Sequence, residues 1–108
     1  MAKLVLSFNG DVVKDYELDK EVLTIGRKPE NDIHIDNMAV SGHHAKVLTI
    51  LNDSFIEDLG STNGTFVGEN KISKHALQNG ESIVIGQHEL KYVNANAGGE
   101  EGEFEKTM

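Results

Sequence analysis

The sequence predicts an all-β protein, a sandwich or barrel built from short strands. In its opening segment Leu4, Leu6 and Phe8 fall on one face, with the period of two that a half-buried strand shows. The pair Asn9–Gly10 follows, and Asn-Gly is the strongest two-residue hairpin signal because both turn positions require positive φ. Apolar segments separated by frequent turn signals, without a sustained helical period, are typical of sandwiches and barrels.

The other strands are assigned along the chain from the same pattern. After KLVLSF and VVKDYEL, the predicted strands are VLTIG, IHI, HAKVLTIL, SFIEDL, ESIVIG and HELKYV. Pro29 lies between two of these segments and interrupts neither, and a second Asn-Gly pair precedes ESIVIG. Residues 94–108 are rich in Gly and Glu, so we expect a domain over residues 1–93 followed by a flexible acidic tail or the start of a linker.

Composition excludes several classes of function. The 108 residues suffice for one domain, and the absence of cysteine excludes disulfides, thiolate zinc sites and a cysteine nucleophile. The net charge of −8 disfavours general nucleic-acid binding, which requires a basic surface. The apolar run at the N-terminus is too short for a signal peptide or a membrane span. The expectation is a cytoplasmic protein that binds neither nucleic acid nor membrane.

The adjacent residues His43 and His44 raise the question of a metal site or a catalytic pair. Neighbouring strand residues point to opposite faces, and no acidic residue stands at a ligand-like offset, so a shared metal ion is disfavoured. Ser41 and His44 can be drawn as the nucleophile and base of a hydrolase, but the G-x-S-x-G motif is absent and no third group orients the base. We favour a structural His44 that hydrogen-bonds the loop backbone, in a protein with no metal, no cofactor and no catalytic residue.

Three polar loops carry the groups that a phosphate ester needs. They are TIGRKPEND, MAVSGHHA and LGSTNGTFV, which together offer a guanidinium, hydroxyls, a carboxamide and backbone N–H groups. Arg27 is the only arginine and suits bidentate phosphate recognition, with a plain surface ion pair as the alternative. STNGT alone is equally consistent with an ordinary turn, and composition does not establish that the three loops meet.

The order of these motifs resembles the forkhead-associated (FHA) domain. Gly-Arg, Ser-x-x-His and Asn-Gly occur in TIGR, VSGHHA and LGSTNGTFV at spacings similar to that family, over residues 4–93. The resemblance implies a sandwich of two twisted, mostly antiparallel sheets, with about ten or eleven short strands, whose loops at one end bind phosphothreonine peptides. It implies a non-enzymatic binding module of Ser/Thr kinase signalling, whose partner is a phosphothreonine protein or peptide such as a kinase or its substrate.

Residue roles follow from the same resemblance. Arg27 resembles the arginine that contacts the phosphate, while Ser41 and Thr62 match two positions whose hydroxyls bond phosphate oxygens. Asn63 resembles the asparagine that holds the peptide backbone beside the phosphothreonine. The resemblance also implies residues that shape the loops without contacting the ligand, namely Gly26, His44 and Gly64.

One position departs from the family pattern. The residue after the serine is often Arg, Lys or Asn in FHA domains, and here it is Gly42, which leaves one fixed positive charge where many relatives have two. Gly42 can still offer its N–H, and Lys28 or His43 are candidates for a secondary contact, with a solvated His43 as the alternative. The departure lends some weight to a second hypothesis, in which an FHA-like scaffold assembles with a partner without phosphate.

The predicted tail carries one further candidate. Thr107 follows a cluster of glutamates, which makes it a candidate phosphorylation site on a flexible segment. Phosphorylated Thr107 would be able to dock on the same loops, because loop-closure entropy grows slowly with tail length. The alternative is a solvated end of a linker.

Overall fold

A computed structural model of the chain describes residues 2–94. These residues form eleven strands and no helix. The strands are β1 (Lys3–Phe8), β2 (Asp11–Glu17), β3 (Val22–Gly26), β4 (Ile33–His34), β5 (Ala45–Ile50), β6 (Asp53–Asp58), β7 (Thr65–Val67), β8 (Asn70–Ile72), β9 (Lys74–Ala76), β10 (Ser82–Ile85) and β11 (His88–Val93).

The strands form two sheets. A six-stranded sheet has the order β2-β1-β11-β10-β7-β8, and a five-stranded sheet has the order β4-β3-β5-β6-β9. Neighbouring strands are antiparallel except for β3 and β4, which are parallel. The predicted all-β sandwich of two mostly antiparallel sheets is therefore confirmed.

The hairpin predicted at Asn9–Gly10 is also confirmed. Asn9 has φ 54° and Gly10 has φ 87°, so both turn residues adopt the left-handed conformation that matches the twist of the flanking strands. Phe8 pairs with Asp11 across the turn. Strands β7, β8 and β9 were not assigned from the sequence, because TFV, NKI and KHA do not alternate between apolar and polar residues as IHI at β4 does.

The core lies between the sheets and contains side chains from nearly every strand. Leu4, Ile25, Ile56, Ile83 and Leu90 are fully buried. Burying one such side chain is worth about 1.5–3 kcal/mol relative to leaving it exposed. This packing holds the strand ends, and therefore the starting points of the loops, in defined positions.

The end of the described chain is attached to the sandwich. Asn94 is buried, and its Nδ2 donates to the Asn52 carbonyl at 3.0 Å and to the Tyr92 hydroxyl at 2.8 Å. The described part thus reaches one residue beyond the predicted boundary. The rest of the predicted tail, including Thr107, lies outside the described residues. In residues 2–94 no helix is long and apolar enough to cross a membrane.

Candidate functional site

Strand register brings three loops to one end of the five-stranded sheet. Ile25, near the end of β3, pairs with Ala45 at the start of β5, and Ala45 pairs with Asp58 at the end of β6. The β3–β4, β4–β5 and β6–β7 loops therefore begin or end at the same level. These are the three polar loops singled out in the sequence, and the structure brings them together.

Backbone hydrogen bonds join the first loop to the second. The Arg27 N–H donates to the Ser41 carbonyl at 2.9 Å, and the Lys28 N–H donates to the Gly42 carbonyl at 3.3 Å. The buried Asn31 side chain adds two bonds, since its Nδ2 lies 2.8 Å from both the Gly42 and the Lys28 carbonyl oxygens. The backbone that carries Arg27 is thus positioned against the backbone that carries Ser41.

Gly26 allows this close approach. A methyl group on Gly26 would stand 2.1 Å from the Gly42 carbonyl oxygen and 2.7 Å from Asn31 Nδ2. Real carbon atoms do not approach an oxygen so closely, so any side chain would push the second loop away. The family resemblance implied that Gly26 shapes a turn. The structure shows a different reason for a glycine, because there is no space for a side chain at this contact with Gly42.

His44 joins the second loop to the third. It is fully buried, its Nδ1 accepts the Ser41 N–H at 3.1 Å, and its Nε2 lies 2.9 Å from the Gly64 carbonyl oxygen. A carbonyl can only accept, so Nε2 carries the proton and donates. Gly64 has φ +90°, a conformation that other residues rarely adopt. Both ring nitrogens are used by the backbone, which leaves neither to accept a proton from the Ser41 hydroxyl as a hydrolase would require.

A carboxylate that the sequence analysis missed organises the third loop. Asp58 accepts the N–H groups of Gly60 at 2.9 Å and Ser61 at 3.0 Å, and the hydroxyls of Ser61 at 2.5 Å and Thr65 at 2.6 Å. Partial burial acts to raise the pKa of Asp58, but the bonds from Ser61, Thr65 and Gly60 outweigh it, so the pKa lies below its usual value. The ionised Asp58 therefore holds the backbone of STNGT in shape.

The hydrogen bonds among the three loops form a frame, and the side-chain groups predicted to contact the ligand keep free donors or acceptors on it. The Ser41 hydroxyl oxygen accepts the Thr62 N–H at 3.0 Å, which leaves its own proton to donate. Within residues 2–94 the Thr62 hydroxyl makes no hydrogen bond. Asn63 Nδ2 donates to the Ala39 carbonyl at 2.9 Å, so the amide keeps its oxygen and a second N–H for a ligand.

The Arg27 guanidinium has no acidic partner among the described residues. Its Nη1 donates to the Met38 sulfur at 3.3 Å, a weak acceptor on an exposed side chain. Within residues 2–94, Arg27 therefore does not form the surface ion pair that was the alternative to phosphate recognition.

The secondary candidates lie around Gly42. A methyl group on Gly42 would stand 3.2 Å from Lys28 Cε and 3.3 Å from Lys28 Cγ, so the Lys28 side chain lies over this glycine. His43 is half-exposed and its Nε2 lies 3.4 Å from a Glu30 carboxylate oxygen, whereas His44 is buried. The two histidines thus point apart, and residues 2–94 contain no group of three His, Cys, Asp or Glu that could hold a metal.

The three loops lie within a region that matches a known protein family. The model of the FHA domain family matches residues 23–86, from β3 to the turn after β10. The chain belongs to the FHA domain family. The matched region contains all three loops of the candidate site, and the motif resemblance noted in the sequence is confirmed.

The relatives of this FHA domain include a named regulator and a protein whose structure was solved with a phosphopeptide. The glycogen accumulation regulator GarA of Mycobacterium tuberculosis is 31% identical over 100 residues, which cover 93% of this chain and 62% of GarA. The chain thus spans less than two thirds of that relative. Mycobacterium tuberculosis EmbR, solved with a low-affinity phosphopeptide, is 34% identical with a TM-score of 0.78, covering 91% of this chain and 26% of EmbR. An FHA domain solved in a study of phosphothreonine-dependent interactions is 25% identical with a TM-score of 0.78, covering 85% of this chain and 94% of its own.

Proposed function

We propose that this FHA domain binds proteins phosphorylated on threonine, through the three loops at one end of the sandwich, and has no enzymatic activity. The observation that carries the proposal is an arginine without an acidic partner in residues 2–94 of a chain of net charge −8, held beside exposed polar groups by a continuous hydrogen-bond network. Such a frame is complementary to a phosphate ester and needs little rearrangement to accept one.

Each predicted residue has a defined part in this proposal. Arg27 donates charge-assisted hydrogen bonds to the phosphate, which carries about −1.5 to −2 charges at pH 7. The Ser41 and Thr62 hydroxyls donate to further phosphate oxygens. Asn63 uses its free amide oxygen and second N–H on the peptide backbone beside the phosphothreonine. His44, Gly26 and Gly64 act only through the backbone that they hold.

Lys28 supplies the second positive charge that Gly42 cannot. Its side chain lies over Gly42, and its ammonium is one bond beyond the Cε that stands 3.2 Å from the Cβ position of that glycine. A hydrogen bond to a charged group is worth about 1.5–3 kcal/mol net, so Lys28→Gln is expected to weaken binding about tenfold or more. A contact from His43 requires its ring to leave Glu30, and we assign it no direct role. The Gly42 N–H is a further donor within reach of the same oxygens.

With this ligand class, we assign the domain to Ser/Thr kinase signalling. The partner in this proposal is a phosphothreonine protein, either a kinase or a kinase substrate, encountered in the cytoplasm. EmbR with its phosphopeptide and the phosphothreonine-dependent FHA interactions studied for a second relative support this assignment.

Titration calorimetry with a matched set of peptides tests the proposal. A phosphothreonine peptide is expected to bind with micromolar or tighter affinity, its unphosphorylated twin not at all, and a phosphoserine twin more weakly. Arg27→Ala should abolish binding, Arg27→Lys should retain part of it because charge survives without the guanidinium fork, and Ser41→Ala should weaken it clearly. Lys91→Gln, on β11, serves as a charge-matched control with unchanged affinity.

Two results would contradict the proposal. Equal binding of the phosphorylated and unphosphorylated peptides would remove phosphate dependence, and wild-type affinity of Arg27→Ala would remove the role of Arg27. A partner complex that survives both phosphatase treatment and Arg27→Ala would instead favour the phosphate-independent scaffold.

A further inference from the structure

A lysine of the next strand, eight residues after Asn63, lies beside the Asn63 edge of the site. Lys71 belongs to β8, where it pairs with Phe66 of β7. A methyl group on Gly64 would stand 3.0 Å from Lys71 Cε and 3.5 Å from Lys71 Cδ. The alkyl stem of Lys71 therefore crosses the residue next to Asn63, and its ammonium lies one bond farther, at the rim of the loop end.

Most cations of the described residues are engaged elsewhere. Lys3, Lys20 and Lys46 pair with carboxylates. Lys14 and Lys74 lie over the rings of Tyr16 and Phe55. Within residues 2–94, the cations with neither kind of partner are Arg27, Lys28, Lys71 and Lys91.

Three of these unengaged cations border the same loops. Lys28 lies over the glycine that follows Ser41, and Lys71 lies over the glycine that follows Asn63. In a chain with 18 acidic and 10 basic residues, three cations at these loops form no ion pair with a carboxylate of residues 2–94, so they remain free to pair with an anionic ligand.

One phosphate does not use all of this charge. The proposed function already assigns Arg27, Ser41, Thr62 and Lys28 to its oxygens, whereas Lys71 lies over Gly64, the residue after Asn63. Asn63 is the residue assigned to the peptide backbone, so a Lys71 side chain that lies over the adjacent Gly64 is close to where a residue next to the phosphothreonine would bind. Its stem is already packed on Gly64, which reduces the side-chain entropy lost on binding.

We propose that Lys71 is a specificity-determining contact that takes a carboxylate of the ligand, so that the domain selects phosphothreonine peptides with an Asp or Glu near the phosphorylated residue. This inference rests on the proposed phosphothreonine binding and names the ligand class within it. The ammonium is a compact point charge on a flexible end, which suits a carboxylate whose position is set by the bound peptide.

Affinity measurements with two proteins and two kinds of peptide test the inference. The reference is a phosphothreonine peptide with alanine at the three positions on either side, and the test peptides carry one glutamate at each of these positions in turn. For the wild-type domain, glutamate at one or two positions is expected to tighten binding about threefold to fivefold, the range of an exposed ion pair. Lys71→Gln should bind the reference peptide within twofold of wild type and lose this preference.

Control measurements distinguish a failure of the Lys71 assignment from a failure of the proposed phosphothreonine binding. Lys91→Gln removes an equally unengaged lysine from β11, at the strand position paired with Ser82, and should keep the glutamate preference. The preference should also shrink at high salt, because exposed charges are screened. A glutamate preference that persists in Lys71→Gln, or no preference at any position in the wild-type domain, would overturn the assignment while leaving phosphothreonine binding intact. Failure of every phosphopeptide to bind would overturn both.

Discussion

Gly26→Ala is the substitution that most directly tests the packing of the first loop on the second. The added methyl would stand 2.1 Å from the Gly42 carbonyl oxygen, 2.7 Å from Asn31 Nδ2 and 2.9 Å from the Gly42 carbonyl carbon. Two of these atoms are backbone, and Gly26 and Asn31 are both buried. No side-chain rotation relieves the overlap, so the β4–β5 loop must shift as a unit.

The cost follows from the hydrogen bonds that the shift breaks. They are the bonds from Lys28 N–H and Asn31 Nδ2 to Gly42, at 3.3 and 2.8 Å, and from Arg27 N–H to Ser41 at 2.9 Å. At about 0.5–1.5 kcal/mol each, their loss amounts to about 3 kcal/mol. The smaller conformational entropy of alanine in the unfolded chain offsets about 0.4–1 kcal/mol. We therefore expect Gly26→Ala to lower the free energy of unfolding by about 2–3 kcal/mol, a large part of a typical domain's stability.

Gly42→Ala provides a matched control on the other side of the same contact. The three atoms nearest to its methyl would all belong to the Lys28 side chain, with Cε at 3.2 Å and Cγ at 3.3 Å. An exposed lysine can move aside, so the change in unfolding free energy should stay within about 0.5 kcal/mol. Urea unfolding followed by circular dichroism measures both variants, and calorimetry with the phosphothreonine peptide should detect lost binding in Gly26→Ala. A Gly26→Ala domain as stable as wild type, or a Gly42→Ala domain equally damaged, would refute the argument.

Three other substitutions test the residues that brace the loops and the pH dependence of stability. His44→Ala should cost about 3 kcal/mol in urea unfolding, because it leaves a cavity and two unpaired backbone groups, and it should weaken phosphopeptide binding; intact binding would contradict its bracing role. Asp58→Asn should cost about 1 kcal/mol at pH 7 after allowance for partial solvent exposure. Because the pKa of Asp58 is lowered in the folded state, this difference should be present above about pH 4 and disappear in acid, and a difference independent of pH would argue against it. Burial lowers the pKa of His88, so the folded state favours the neutral ring, and the stability of wild type relative to His88→Phe should fall as pH drops below about 6.5; parallel pH profiles would be inconsistent with this.

Local patterns predicted the strands whose residues alternate between apolar and polar types, even where the strand is as short as β4. Ile33 and Ile35 are buried on either side of the exposed His34, as alternation requires. The Asn9–Gly10 turn has the positive φ values that its residue types favour. The strands β7 to β9 were not predicted because their residues do not alternate between apolar and polar types, and each is defined by the neighbour with which it pairs.

Two site residues had no local signal at all. Asp58 reads in the sequence as a polar residue at the end of a strand, and its role appears only when the loop returns to place Ser61 and Thr65 around it. Lys71 is separated from Asn63 by a hairpin and reaches Gly64 only because β7 and β8 pair in their observed register. Contacts of this kind depend on how a turn or hairpin brings residues three to seven positions apart together, which an alternating apolar pattern does not encode.

The sequence by itself determined the fold class, the turn at Asn9–Gly10, and the residue types Arg27, Ser41 and Asn63 in their family order. Only the tertiary structure decided that these residues share one end of the sandwich, that Gly26 is required by a close backbone contact, and that Lys28 and Lys71 flank the loops. The physical reason is that side-chain alternation and turn chemistry act over a few neighbouring residues, whereas loop convergence follows from the register of paired strands and the packing of the core between them.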